Sequence, residues 1–553
     1  MKRRSEVWRL LAVAAMSLVL GSSLLQPPAT ATGAATQKEF LTMLAKSPVS
    51  KWLSAGGQAA IRLALGIRPQ PVSGVTSTAG ADETPASHEN GAQAATAPGL
   101  TNVRVNTPAG DGAAEPEMTT QSETSVAVHG KNVVVGYNDD GHSAFFLSPV
   151  VDYSGYSWSN DGGGTFHDSV LPNALPMLNI GDPVLGADRS GTFFYASLAA
   201  APLLSPIVVG TSADGGKTFG LPIAVSSTQL FDFTDKPWLA VGPDLTNPAK
   251  DDVYVSWTDF FFECGGGGCT FGTRIELAVS RDEGRSFSPP LIVVEQPERV
   301  DKTEFAFVQG SSISVDPATG AVYVAWERFA NPIGDHRFDF PNRTIAVARS
   351  DDRGQSFTEP TEAGVPVPIG TSNVLCGGVL RFGAGKLVRV QEFPSIGVGP
   401  SGAVFVAFDS NVQGRSQVFL ARSTDRGATW KQAPVNPKDL TDQFMPSLAA
   451  DGNGAHVLYY QRASVSELAP VMSSSPHGYS FGAAEQVSTE TFTVPFTLPN
   501  FDPAIALCYM GDYISLTGHG GNLHAAWGDN RNTVTDGLFP GGRADPNVFY
   551  AKL

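Results

Sequence analysis

The chain has 553 residues, of which 37 are lysine or arginine and 53 aspartate or glutamate, a formal net charge of −16 at neutral pH. That balance excludes a basic nucleic-acid groove and an anionic membrane surface as the main partner. With 59 glycines, 40 prolines and 42% hydrophobic residues, the composition is that of a turn-rich folded chain rather than a disordered or helical one, and it predicts an all-β protein.

Residues 1–31 open with Lys2, Arg3 and Arg4, run through an apolar stretch from Leu10 to Leu25 and reach Ala29-Thr30-Ala31. This is the pattern of a secretory signal peptide with its cleavage site. The apolar stretch is short for a bilayer and no second one follows, so the expectation is a secreted, extracellular protein without a membrane span. Residues 32–99 form a separate region. A weak helical pattern (Phe40, Leu41, Leu44, then Ile61, Leu63, Leu65) gives way to an Ala/Thr/Ser/Gly/Pro stretch that reads as a linker. The helical part is read as a pro-segment or a docking element.

From residue 100 to 553 the chain is built on internal repetition. One octapeptide, S-x-D-x-G-x-[ST]-[FW], recurs at Ser159–Phe166, Ser212–Phe219, Ser280–Phe287, Ser350–Phe357 and Ser423–Trp430; a sixth copy, Ser474–Phe481, has Pro476 in place of the aspartate. The carboxylates of Asp161, Asp214, Asp282, Asp352 and Asp425 can accept backbone N–H bonds across their own turns, the glycine takes a positive φ, and the aromatic enters the core. The motif is therefore read as a structural clasp, because one active centre cannot use five equivalent residues from successive repeats.

Around each clasp the same strand order returns, with openings at Ser122, Asp182, Lys236, Gln309, Phe393, Met445 and Asp512. Seven units of about 65 residues suit blades of four antiparallel strands and predict a seven-bladed β-propeller, with a six-bladed ring as the alternative. The last unit ends after its third strand, and the alternating segment Thr101–Asn106 is expected to supply the fourth and so close the ring.

Four cysteines suit an exported chain. Cys264 and Cys269 enclose four glycines and are expected to form a local disulfide, leaving Cys376 and Cys508 as the second pair. A zinc site is the rival reading, but no Cys or His cluster accompanies these spacings.

In such blades the first strand starts, and the second ends, on the face opposite the clasps and around the axis. Glu123, Asp182, Asp235, Glu392, Asp442 and Asp512 fall at starts, and Asp139, Asp259, Glu327, Asp409 and Asp529 at ends, relieved by Lys236, Arg328, Arg462 and Arg531. This acidic ring reads in three ways: as strand caps, as a carboxylate-based active site, or as oxygen ligands for Ca2+. No contiguous calcium loop is present, and no metal or other cofactor is assigned.

The repeated octapeptide is the Asp-box, or bacterial neuraminidase repeat, and the stretch from Leu100 to Leu553 resembles the sialidase superfamily. The resemblance implies a propeller acting on glycans by a retaining mechanism, with a tyrosine nucleophile, a glutamate that takes its proton, an aspartate acid/base and arginines that hold the substrate carboxylate. Gln391-Glu392-Phe393-Pro394 resembles the segment that carries the family glutamate, and Asp512-Tyr513-Ile514-Ser515-Leu516 the one that carries its tyrosine. By that resemblance Glu392 and Tyr513 are the catalytic pair and Asp152 the acid. The family's Phe-Arg-Ile-Pro signature is absent. Ser122-Glu123-Thr124-Ser125 stands there, and Phe408-Asp409-Ser410 replaces a second arginine. Arg415, Arg328, Arg462 and Arg531 are the cations left to bind substrate. Two functions follow, a sialidase-like exo-glycoside hydrolase or a non-catalytic propeller that binds glycan or protein, in either case expected as a monomer.

Overall fold

The computed structural model describes residues 31–66, 94–96, 99–107, 120–139, 153–201, 204–227, 231–247, 249–265, 268–297, 304–333, 335, 339–373, 376–494, 508–535 and 542–553. The chain folds as a seven-bladed β-propeller. The innermost strands of the blades are, in order, Gln121–His129, Val184–Ala187, Asp232–Pro243, Glu304–Val315, Ser395–Val398, Gln443–Asp451 and Ser515–His519, each opening an antiparallel sheet of four sequential strands in the first six blades and of three in the seventh.

The ring closes as the sequence predicts. Val103 and Arg104 pair antiparallel with Tyr550 and Phe549, adding the outer strand of the seventh blade from the front of the chain. Val105 N–H donates to the Val548 carbonyl (2.8 Å), and the Asn106 side chain accepts from Val548 N–H (2.9 Å).

Each seam between neighbouring blades is its own apolar cluster, and the clasp aromatics fill the seams. Phe219 packs with Val134, Tyr156, Leu185 and Tyr195 between blades one and two. Phe166 stands edge-on to Tyr550 (centroids 5.3 Å) between blades seven and one. The glycines of the clasps are required twice over. Gly163 and Gly216 have φ of 91° and 84°, and a Cβ would lie 2.2 Å from the Tyr550 ring or 2.0 Å from Val134.

Four innermost strands bulge at the same point, between Ser122 and Ser125, Asp235 and Trp238, Gln309 and Ser312, and Phe444 and Ser447. The bulge places Glu123 (φ 53°), Lys236 (53°), Gly310 (72°) and Met445 (54°) in the left-handed region, and Asp182 ahead of the second blade shares it (55°). For the non-glycine residues this costs on the order of 1 kcal/mol each, the kind of local strain that clusters at functional sites.

Two features lie outside the repeat. A three-stranded insert, Thr371–Asn373, Gly377–Arg381 and Leu387–Val390, precedes the fifth blade, and a disulfide joins its Cys376 to Cys508. Cys264 and Cys269 face each other in backbone register on a hairpin of the third blade; their side chains lie outside the described residues. At the front of the chain, helix α1 (Ala31–Lys46) stops at Ser47-Pro48, a 3-10 turn follows over Pro48–Trp52, and helix α2 (Ala55–Leu65) is capped by Ser54 and by Gly66 at φ 65°. Residues 1–30 and 67–93, which include most of the expected signal peptide and linker, lie outside the described residues. Ala95 and Thr96 pair in parallel with Glu485 and Gln486 at the edge of the sixth blade. No described helix is long and apolar enough to cross a membrane.

Candidate functional site

The five clasp aspartates make turn contacts only. Asp161 accepts from Ser159 Oγ (2.7 Å), the Gly164 and Thr165 amides (2.8 and 3.0 Å) and Thr165 Oγ1 (2.8 Å). Asp214, Asp282, Asp352 and Asp425 each accept from the same Ser hydroxyl and the same Ser/Thr amide and hydroxyl. In the sixth blade Ser474 is engaged by His456 Nδ1 (2.8 Å), and the turn closes instead through Ser475 Oγ, which accepts from Gly478 N–H (2.8 Å).

The opposite face carries the carboxylate ring, and every member of it is buried. Several pair locally: Asp259 with Arg274 (2.9 Å), Asp442 with Arg462 (2.7 Å) and Asp529 with Arg531 (2.6 Å). These are strand-end ion pairs, each confined to one blade. Four others, Glu123, Asp182, Asp235 and Asp512, come from different blades and share one centre with Lys236 and Arg389. Lys236 Nζ bonds Asp512 and lies 3.8 Å from Glu123; Arg389 holds Asp512 through Nε (3.0 Å) and Nη2. Arg389 is delivered by the insert, whose disulfide partner Cys508 accepts from Arg389 N–H (2.7 Å).

Burial sets the electrostatics here. It pushes Glu123 up to about 7 against the pull of Lys236. Burial, with the charge of Glu123, holds Asp182 well above the usual carboxylate range. Burial also raises Asp235, which Lys236 partly offsets. Asp512 goes the other way: burial opposes ionisation, but Arg389 and then Lys236 outweigh it. One centre thus holds Asp512, whose ionised form is favoured, beside Glu123, which can exchange its proton near neutrality, and acids whose burial favours the protonated form.

Tyr509 belongs to this centre. Its hydroxyl accepts from Asn138 Nδ2 (2.9 Å), which also donates to Glu123 (3.0 Å), and it lies 3.2 Å from Ser122 Oγ. The sequence named the tyrosine four positions later. Tyr513 donates to the Pro183 carbonyl (3.0 Å), stands edge-on to Trp238, and has Lys236 Nζ 5.5 Å from its ring centroid. Glu392 joins another group, accepting from Arg343 (3.1 Å) and Ile369 N–H (2.5 Å), and Arg343 also holds Glu327 (2.8 Å). Asp152 lies outside the described residues. The four nominated arginines do not converge: Arg328 holds Glu304, Arg415 the Leu440 carbonyl, and Arg462 and Arg531 the aspartates of their own blades. Lys236 and Arg389 are the cations at the centre. The sequence pattern marks Lys236 only as relief for the ring, and no repeat signal marks Arg389. An axial pocket lined by Lys236, Trp238, Phe393, Met445, Asp512 and Tyr513 adjoins the centre. Among the described residues no group of three or more ligating side chains is placed to hold a metal ion.

The N-terminal segment covers this face. Ser54 donates its amide (2.9 Å) and hydroxyl to Asp235, Arg389 donates to the Leu53 carbonyl (3.0 Å), and Gln391 to the Trp52 carbonyl (3.4 Å). Trp52 packs on Phe329 (5.1 Å) with the Arg343 guanidinium 4.6 Å from its ring centroid.

Fold and site together define a propeller with a mixed-charge, acid-rich axial centre. Among solved structures the chain is similar to an ulvan lyase of a new polysaccharide lyase family (10% identity, 78% of this chain and 93% of that one, TM-score 0.47). It is also similar to the sialidase of Trypanosoma rangeli (11%, 83% and 60%, 0.37) and to a protein of unknown function from Dyadobacter fermentans (15%, 70% and 99%, 0.35). These are likenesses of strand arrangement, and the fold itself is read from the seven sheets. No family model matches the chain, and no curated protein does.

Proposed function

We propose that the protein is a carbohydrate-active propeller, a sialidase-like exo-glycoside hydrolase exported to act on exposed glycans, with its chemistry at the axial centre. The observation that carries this reading is the pairing of Tyr509 and Glu123 through Asn138, which donates to both, with two buried cations beside them. In this reading Glu123 takes the Tyr509 proton as the phenol oxygen bonds the anomeric carbon. The glycosidic C–O bond breaks, and the leaving oxygen takes the Asp182 proton. Water, deprotonated by Asp182, then attacks the anomeric carbon as its bond to the phenol oxygen breaks, and the phenolate takes its proton back from Glu123. Lys236 and Arg389 stand where an anionic sugar would need them.

The test is turnover of fluorogenic sialosides and other glycosides by protein from which residues up to Gly66 have been released by a cut. Tyr509→Phe is expected to lower kcat by roughly 10³-fold or more. Loss on Tyr513→Phe or Glu392→Gln, with Tyr509→Phe still active, moves the assignment to the pair that the resemblance implies. The burial of the acids beneath the chain's own N-terminal segment favours a second reading, a non-catalytic propeller that binds glycan or protein. Glycan-array binding without product release would establish it.

A further inference from the structure

The segment Pro48–Gly66 belongs to no blade, and the ring closes without it, through Val103 and Arg104. Yet its central residues are among the most enclosed of the molecule: Leu53, Ser54 and Ala55 are wholly buried, and Trp52 is 3% exposed. They are buried against the one face where carboxylates from several blades meet.

The fit is specific to this sequence. A Cβ on Gly56 would lie 2.6 Å from the Ile180 carbonyl and 2.8 Å from Asp182 Oδ1, and one on Gly57 2.6 Å from Asp235 Oδ1. Only two adjacent glycines let the first turn of α2 lie directly on those acids. Its positive end then faces them, with Ser54 bonded to Asp235. The buried carboxyl of Asp182 lies against the same turn, so the segment covers this acid as well as Asp235. Around this contact, Arg389 and Gln391 clasp the backbone carbonyls of Leu53 and Trp52, so the Asp512-bound guanidinium and Gln391, which lines the axial pocket, are both engaged by the chain itself. The sequence that follows, from residue 67 to 93, is rich in Ala, Thr, Ser, Gly and Pro, a composition suited to a tether.

We propose that residues 48–66 are an autoinhibitory plug, in which Trp52-Leu53-Ser54-Ala55-Gly56-Gly57 occupies the axial mouth until cleavage in the following tether releases it. The idea rests on the axial centre being the working site, but its test reads the two separately. A site-specific protease sequence is placed between residues 75 and 85 of the full chain, and the folded protein is assayed before and after cutting. In parallel, Gly57→Leu is introduced into the uncut chain to force α2 off Asp235. Two readouts are taken: deuterium exchange of the Ala55–Ile61 amides, and turnover of a panel of 4-methylumbelliferyl glycosides that includes a sialoside and a uronide.

Exchange in Ala55–Ile61 is expected to rise at least tenfold in Gly57→Leu and after cutting, with blade amides unchanged and turnover rising at least tenfold over the uncut chain. Faster exchange without turnover on any glycoside upholds the plug and overturns the glycosidase assignment. Measurable turnover that is equal before and after the cut overturns the plug, as does unchanged exchange in the cut protein. If Gly57→Leu does not fold, the cut protein, which folds before it is cut, decides the question alone.

Discussion

The two faces of the propeller use the same side chain in opposite ways. On the clasp face, aspartates sit in exposed turns and their hydroxyl and amide donors favour the charged form. Asp425 is held down to about 2, first by the Thr429 hydroxyl and then by its amide. On the axial face, burial drives carboxylates upward, Glu123 to about 7 and Glu327 to about 8. Repetition and titration thus divide the molecule. What recurs in five blades builds the ring, and what occurs once, at the junction of blades, is where a proton can be exchanged near neutrality.

The largest effect should come from breaking the axial charge balance. Arg389→Ala leaves Asp512 buried with Lys236 alone and removes the donor to Leu53, which should cost about 3–5 kcal/mol in denaturant unfolding. A cost below about 1 kcal/mol would show that the centre is wetter than its burial implies.

The next effect is a pH slope. Because Glu123 binds its proton more tightly when folded, its contribution is fully present below the ordinary carboxylate range and is lost as pH rises towards about 7. Unfolding free energy should therefore fall between pH 4.5 and 7, and Glu123→Gln should flatten that part of the curve. The clasps have the reverse sign: their stabilisation holds above the ordinary aspartate value near 4 and is lost as pH falls towards 2.

A single clasp matters less. Asp282→Ala removes the acceptor of Ser280 Oγ and of the Ser286 amide and hydroxyl, and about 1 kcal/mol is expected from thermal unfolding. Smallest of all, Pro476→Asp in the sixth blade should add no more than about 0.5 kcal/mol, because Ser474 is already taken by His456 and Ser475 already closes the turn. A full clasp's worth of stabilisation would mean that the His456 contact yields readily.

The fold was legible because its signal is repeated. Five octapeptides fix where the third strand of a blade ends, and the orphan strand at Thr101–Asn106 matches a last unit that lacks its outer member. The site was legible only as a ring. Glu123 was seen at its strand start but stood where the resemblance wanted a cation, whereas the cations come from Lys236 in the third blade and Arg389 in the insert. Tyr509 and Tyr513 lie on the same short stretch, and only the path of the chain past Cys508 decides which hydroxyl meets Glu123. Gly56-Gly57 lowers helix propensity, so in sequence it argues for a weak helix. In space, the missing side chains are what let that helix reach Asp182 and Asp235.

The closing strand also sets an order of events in synthesis. Val103 and Arg104 precede their partners Tyr550 and Phe549 by about 445 residues, so the ring closes only when the whole span between them has been made. Until then the first and seventh blades cannot dock, and a nascent or truncated chain presents two unsatisfied sheet edges to its neighbours. Deletion of Arg543–Lys552 should therefore produce aggregation rather than a slightly less stable ring.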